Sequence, residues 1–198
     1  MNLNLETINL PSPLQLTINL TDAQFWQLCQ QNREYRFEMN DRGDLIIMSP
    51  TGSDTGRRNI KITTQLEIWN SKYKLGIAFD SSTGFKLPNG AKRSPDASWI
   101  ELTRWNSLTT EEQEQFAPIC PDFVVELRSK TDGLQPLQEK MQEYLDNGSK
   151  LGWLIDRQNQ QVEIYRCNQQ VEIIKAPSRL SGEKILPNFT LDLTEILF

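Results

Sequence analysis

The chain has no histidine among its 198 residues. That absence removes Ser-His-Asp and Cys-His nucleophilic catalysis and every histidine-ligated metal site. Any chemistry must run on carboxylates, lysine, arginine, hydroxyls and bound hard cations. Cysteine is scarce as well: Cys29, Cys120 and Cys167 are odd in number, far apart and in no CxxC pair. They outline neither a disulfide framework nor a zinc site, and they point to a reducing compartment, the cytoplasm. Long apolar runs are missing; none approaches the roughly 18 residues that span a bilayer, so no membrane segment is expected. The opening MNLNLETINLPSP lacks the positive and apolar regions of a secretory signal. Positive charge is in the minority, with 21 Lys and Arg against 26 Asp and Glu, a net charge of -5 and a pI of about 4.9. A nucleic-acid binder is usually basic on the face it uses. The total therefore argues against tight nonspecific DNA binding, although a sum says nothing about distribution.

What is present suits a soluble globular protein: 37% of residues are hydrophobic and 24% charged. A chain of this length buries roughly 70% of its unfolded surface and needs no staples. We expect an N-terminal extension over residues 1–19, poorly ordered or a strand, and a single domain over 20–198. In LTDAQFWQLCQQN, Thr21 or Asp22 can cap a helix with Phe25, Leu28 and Cys29 as its apolar stripe. YRFEMNDRGDLIIMSP reads as a β-hairpin turning at Gly43 and ended by Pro50, Gly52 and Gly56. A helix is expected from Arg57 to about Lys72, then two short strands in IAFDSSTGFKLPNG and one in SPDASWIEL. LTRWNSLTTEEQEQFAP reads as a helical excursion, PDFVVELRSK as a strand and DGLQPLQEKMQEYLDNG as a helix with Gly148 at its end. KLGWLIDR, QQVEIYR and QQVEIIKA read as further strands, and the tail as a strand plus a last helical turn. Helices alternating with strands imply one α/β domain around a mixed sheet.

Two carboxylates stand out. Glu126 interrupts the apolar run FVVEL, and Asp96 opens the strand DASWIE. Strand side chains alternate faces. Val124, Glu126 and Arg128, and Lys130 if the strand runs that far, share one face of their strand; Asp96, Ser98 and Ile100 share one face of theirs. If the strands pair, the two acids come within about 5 Å of each other. Such a pair repels unless a proton or a cation lies between, and a divalent ion with oxygen ligands suits it. In the following helix Leu134, Leu137, Met141, Tyr144 and Leu145 form a stripe with Lys140 beside it, able to run its stem along the core. The plainer alternatives are a structural Glu126–Arg128 pair, a surface Lys140 and an Asp96 that caps a turn.

The succession GFKLPNGAKRSPDASWIE, PDFVVELRSKTD, LQEKMQEYLDNG and LGWLIDRQNQQVEIYR resembles the Uma-two type of restriction endonucleases in the PD-(D/E)xK nuclease superfamily, from about Leu20 to the C-terminus. The resemblance implies a restriction-endonuclease-like core, a mixed β-sheet flanked by helices. Pro95 and Asp96 match the "PD" element and Glu126 the second acid. The lysine expected two residues later is replaced by Arg128, a poor substitute for positioning water. Lys140 occupies the place to which this type moves that lysine, and Lys130 is a second candidate. The implied mechanism is phosphodiester hydrolysis in DNA assisted by Mg2+ or Mn2+. Asp96, Glu126 and the carbonyl of Leu127 would bind the metal, Lys140 would assist the attacking water, and Asp80 would make a contact one layer out. Two basic clusters could meet phosphates: Arg57, Arg58 and Lys61, and Lys86, Lys92 and Arg93; the plainer reading of each is a solvated face. Cutting two strands takes two sites, which makes a homodimer the expected assembly although no residue shows it. The rival expectation is a catalytically inactive module that kept the fold and binds nucleic acid or a partner. Action on RNA is a third.

Overall fold

The computed structural model describes residues 14–198. In chain order the elements are β1 (Leu14–Thr17), α1 (Asp22–Gln31), β2 (Arg36–Met39), β3 (Asp44–Met48) and α2 (Ser53–Tyr73). Four strands follow: β4 (Gly76–Asp80), β5 (Phe85–Lys86), β6 (Lys92–Arg93) and β7 (Ala97–Glu101). Next come α3 (Leu102–Trp105), α4 (Thr110–Glu114), β8 (Phe123–Arg128), α5 (Leu134–Asp146), β9 (Leu151–Asp156) and β10 (Gln161–Arg166). The chain ends with β11 (Glu172–Lys175), β12 (Arg179–Ser181) and β13 (Thr190–Asp192).

The main sheet has the order β11-β10-β9-β8-β7-β4. Only β8 and β9 run parallel, and α5 is the crossover that a parallel connection requires. This is the mixed sheet flanked by helices. β8 is apolar because both its faces are covered. Phe123, Val125 and Leu127 pack with Trp99, Trp153 and the α2 residues Ile62, Leu66 and Trp69. Val124 points the other way, to Ile100, Leu154, Met141 and Tyr144. The alternation of faces in β7 and β8 is the one the sequence predicts.

The mixed sheet does not stand alone. A second, antiparallel sheet of order β1-β3-β2-β6-β5 stands beside the first. Its cause is local: Phe37 and Met39 of β2 and Leu45 of β3 close around Phe25 of α1 and bury a small core of their own. Arg36 and Glu38 alternate with those residues and therefore face away from that core, into the cleft between this sheet and α5.

Other differences have similar causes. α1 is capped by Thr21, whose hydroxyl accepts from the Gln24 amide while the Gln24 side chain answers the Thr21 amide. α2 starts at Ser53 rather than Arg57 and takes Gly56 into its first turn, because the buried stripe Ile62, Leu66 and Trp69 outweighs one poor helix former. The helical excursion is two short helices, since Thr109 and Glu112 form a fresh capping box after the first has ended. β6 and β12 have two and three residues, too few to show a period. The tail up to Pro13 lies outside the described residues, and Leu14–Thr17 pairs antiparallel with β3. Among the described residues no helix is long and apolar enough to cross a membrane.

Candidate active site

The ladder between β7 and β8 sets Ala97 opposite Val125, Ser98 opposite Val124 and Trp99 opposite Phe123. The ladder ends there, and Asp96, the residue just before β7, lies beside the β8 residues Glu126 and Leu127. Both carboxylates are buried, with 9% and 4% of their surface exposed. Asp96 Oδ2 accepts the backbone N–H of Leu127 at 2.9 Å, and its Oδ1 accepts Asn59 Nδ2 at 3.0 Å. Arg36 Nη1 stands 3.7 Å from that Oδ1. Glu126 Oε1 accepts Lys140 Nζ at 2.8 Å and the Tyr144 hydroxyl at 3.0 Å. Lys140 and Tyr144 are one helical turn apart on α5, so a single helix delivers both donors to one oxygen.

Glu38 was not singled out from the sequence, yet it belongs to the same cluster. It is 2% exposed, and its Oε1 accepts Lys140 Nζ at 2.8 Å and the Ser94 N–H at 3.0 Å. Its Oε2 takes Arg93 Nη1 at 3.2 Å, and Arg93 reaches on to Glu143. The signal was the alternation in RFEM: if Phe37 and Met39 face a core, Arg36 and Glu38 share the opposite face. Asn59 and Tyr144 were missed as site residues because nothing local marks a polar group on a packed helix face as pointing toward a carboxylate.

The two buried glutamates titrate in opposite directions. Burial pushes Glu126 up to about 7; Lys140 pulls against that, while Asp96 and Glu38 add to it. Burial also acts to raise Glu38, but Lys140, Arg93 and the Ser94 amide more than offset it and hold it at about 2. Lys140 is pulled down by burial and more than restored by Glu126 and Glu38, so it stays an ammonium.

Among the described residues no three acid or cysteine side chains form a ready metal-ligand set. The donors at hand still fit a hard cation. They are two carboxylates, the Leu127 carbonyl on the strand edge that its N–H shares with Asp96, and a buried Asn59 Oδ1 with no hydrogen-bond partner among the described residues. Mg2+ keeps several waters and is commonly held by one or two carboxylates, so this set suffices.

The remaining candidates lie elsewhere. Arg128 binds both oxygens of the buried Asp156 at 3.1 and 3.0 Å and the Asp132 carbonyl, and does not join the pair. Lys130 is exposed beyond the end of β8 and does not line the cleft. Asp80 caps its own turn by accepting the Ser82 amide at 3.0 Å. The basic clusters are largely occupied. Lys86 and Lys92 pair with Asp22, and Arg93 with Glu38 and Glu143. Arg57 pairs with Asp54 at 2.9 Å, and Lys61 with Glu195. Arg58 is buried and donates to the carbonyls of Ile196 and Phe198, each at 2.6 Å. Arg58→Ala should therefore cost about 2 kcal/mol of stability in urea unfolding, as lost bonds to a charged donor do. The salt dependence of plasmid binding should stay unchanged; a flatter salt slope at full stability would reverse that assignment.

Arg36, Glu38, Asp96, Glu126, Leu127 and Lys140 line a cleft of about 890 Å³ between the β2–β3 hairpin, α5 and the loop after β8. A family model described as "Putative restriction endonuclease", Uma2, matches residues 22–194. A solved structure described as a putative nuclease belonging to DUF820 from Anabaena variabilis ATCC 29413 is similar to the chain, with a TM-score of 0.73 at 19% identity. The match covers 90% of this chain and 98% of that one, and it speaks for the fold. No curated protein matches. With the family model spanning nearly the whole length, the chain belongs to the Uma2 family.

Proposed function

We propose that the protein is a metal-dependent endonuclease that hydrolyses DNA phosphodiester bonds. The single observation that carries this reading is the buried pair Asp96 and Glu126, brought together at the end of the β7–β8 ladder, with Lys140 Nζ 2.8 Å from Glu126. Asp96, Glu126 and the Leu127 carbonyl would hold Mg2+ or Mn2+. When bound, the ion supplies a water of lowered pKa and offsets charge on the phosphate. Lys140 has three N–H donors; Glu38 and Glu126 take two, which leaves one to hold the attacking water or a phosphate oxygen. Glu38 keeps that ammonium in place, Tyr144 orients Glu126, and Asn59 with the Leu127 amide orients Asp96. Three free cysteines suit a reducing, cytoplasmic setting.

The test is nicking of supercoiled plasmid with Mg2+ or Mn2+, with chelator as control. A single site cuts one strand, so nicking requires no second copy, whereas cutting both strands would need the expected homodimer. Below its pKa of about 7 Glu126 is protonated and neutral and holds a cation poorly, so the rate should climb from about pH 6 to about pH 8. Nicking that persists in chelator, or a flat profile across that range, would sink this reading.

The rival, a catalytically inactive module of the same fold, draws on one observation: acids outnumber bases along the cleft, and most of the bases there are already paired. It predicts no metal binding at millimolar Mg2+ or Mn2+ and no cleavage of DNA or RNA.

A further inference from the structure

Four cations line the cleft, and they differ in how fully they are engaged. Lys140 is clamped between Glu38 and Glu126. Arg93 lies between Glu38 and Glu143. Arg42 is at the rim, with 75% of its side chain exposed, 3.6 Å from Asp44. Arg36 is the exception. Its Nη2 donates to the Ser94 carbonyl at 2.9 Å, while its Nη1 is 3.7 Å from Asp96 Oδ1, beyond hydrogen-bond length. Its Nε is buried and has no hydrogen-bond partner among the described residues. A buried donor left unmade is costly, so a partner is expected. The alternation of β2 puts Arg36 on the face of Glu38, beside the proposed metal ligand, and 28% of its side chain is open to the cleft. A planar guanidinium with unused donors suits the oxygens of a phosphate, which it can hold with two parallel bonds.

We propose that Arg36 is the phosphate-binding residue of this site and the resting counter-ion of Asp96. The guanidinium leans on Asp96 until a divalent cation takes that carboxylate, and then turns its unused donors to a phosphodiester of the nucleic-acid substrate. The inference rests on the metal-nuclease reading above. Because Arg36 and the cation then compete for one carboxylate, removing Arg36 should tighten metal binding while it slows cleavage. A residue that merely props up the hairpin would do neither.

The experiment is calorimetric titration of Mn2+ into the wild-type chain, Arg36→Gln and Arg36→Lys, beside nicking of supercoiled plasmid by each. The Gln variant should bind Mn2+ roughly fivefold more tightly, the effect of one like charge a few ångströms away in partly wet surroundings. It should nick at least about tenfold more slowly, with the loss mainly in KM. The Lys variant should bind Mn2+ as the wild type does and recover only part of the nicking, because an ammonium lacks the fork. Mn2+ affinity that is equal or weaker in the Gln variant overturns the inference and leaves the metal-nuclease reading standing. A wild-type chain that takes up no Mn2+ overturns both.

Discussion

Asp96→Asn should abolish most metal-dependent nicking, with a loss of at least about 100-fold, while the fold survives. Partners one layer out from a metal commonly cost 10- to 100-fold when removed, and a direct ligand should cost more. The replacement keeps the shape and can still accept the Leu127 N–H. Its new N–H2 group would face Asn59 Nδ2, donor against donor, but Asn59 has a buried Oδ1 without a partner and can turn its amide to offer it. Stability should therefore change by less than about 1 kcal/mol, a small effect for a mutation at a buried carboxylate. The measurement pairs plasmid nicking with thermal unfolding of the same preparations. Equal nicking by wild type and variant would mean a contaminating nuclease, and an unfolded variant would show that Asp96 is chiefly structural.

Lys140→Met should be the most destabilising single change at the site, and its cost should depend on pH. The methionine fills a similar volume but leaves Glu38 and Glu126 facing each other without their shared ammonium. Breaking a buried ion pair by removing one partner costs about 3–5 kcal/mol. The pH dependence follows from Glu126. Burial raises its folded pKa to about 7, above the ordinary 4.5. Between those values the folded chain keeps a proton that the unfolded chain releases, so stability falls as pH rises through the window. Without Lys140 the folded pKa moves higher still and the fall continues to higher pH. Glu38 behaves in the opposite sense: held at about 2, it adds stability above the ordinary value and loses it as pH drops toward 2. Urea unfolding should give the smaller difference between wild type and variant at pH 5, where only the pair with ionised Glu38 is lost, and the larger at pH 8, where Glu126 is ionised as well. A difference independent of pH would show that Lys140 does not carry the charge of this cluster.

The difference between Glu126 and Glu38 shows where local reading succeeds. Glu126 breaks an apolar strand, and one charged residue among four apolar neighbours is visible without a structure. Glu38 lies in RFEM, which reads equally well as an edge strand with one wet face. Its burial depends on α5, about a hundred residues later in the chain, bringing Lys140 across the cleft. Asn59 is a similar case, since its function is set by Asp96, to which it is joined only through the tertiary fold. The basic clusters went the other way. Arg58, Lys92 and Arg93 look like a phosphate-binding surface in sequence, but each has an acid or a row of carbonyls as its partner in the folded chain.

The amino-acid sequence determined, by itself, the alternation of faces in β7 and β8, the helix that carries Lys140 and the absence of histidine chemistry. The first two follow from periods of two and of about three and a half residues, and the third from composition; all are local and survive any arrangement of the elements. Only the tertiary structure decided that β7 pairs with β8 and so brings Asp96 beside Glu126, that the N-terminal hairpin forms a second sheet, that Glu38 and Arg36 turn into the cleft, and that Lys140 rather than Lys130 or Arg128 stands beside Glu126. Those outcomes depend on which partner a charged group finds when it is buried, and the desolvation of a charge is decided by neighbours distant in the chain.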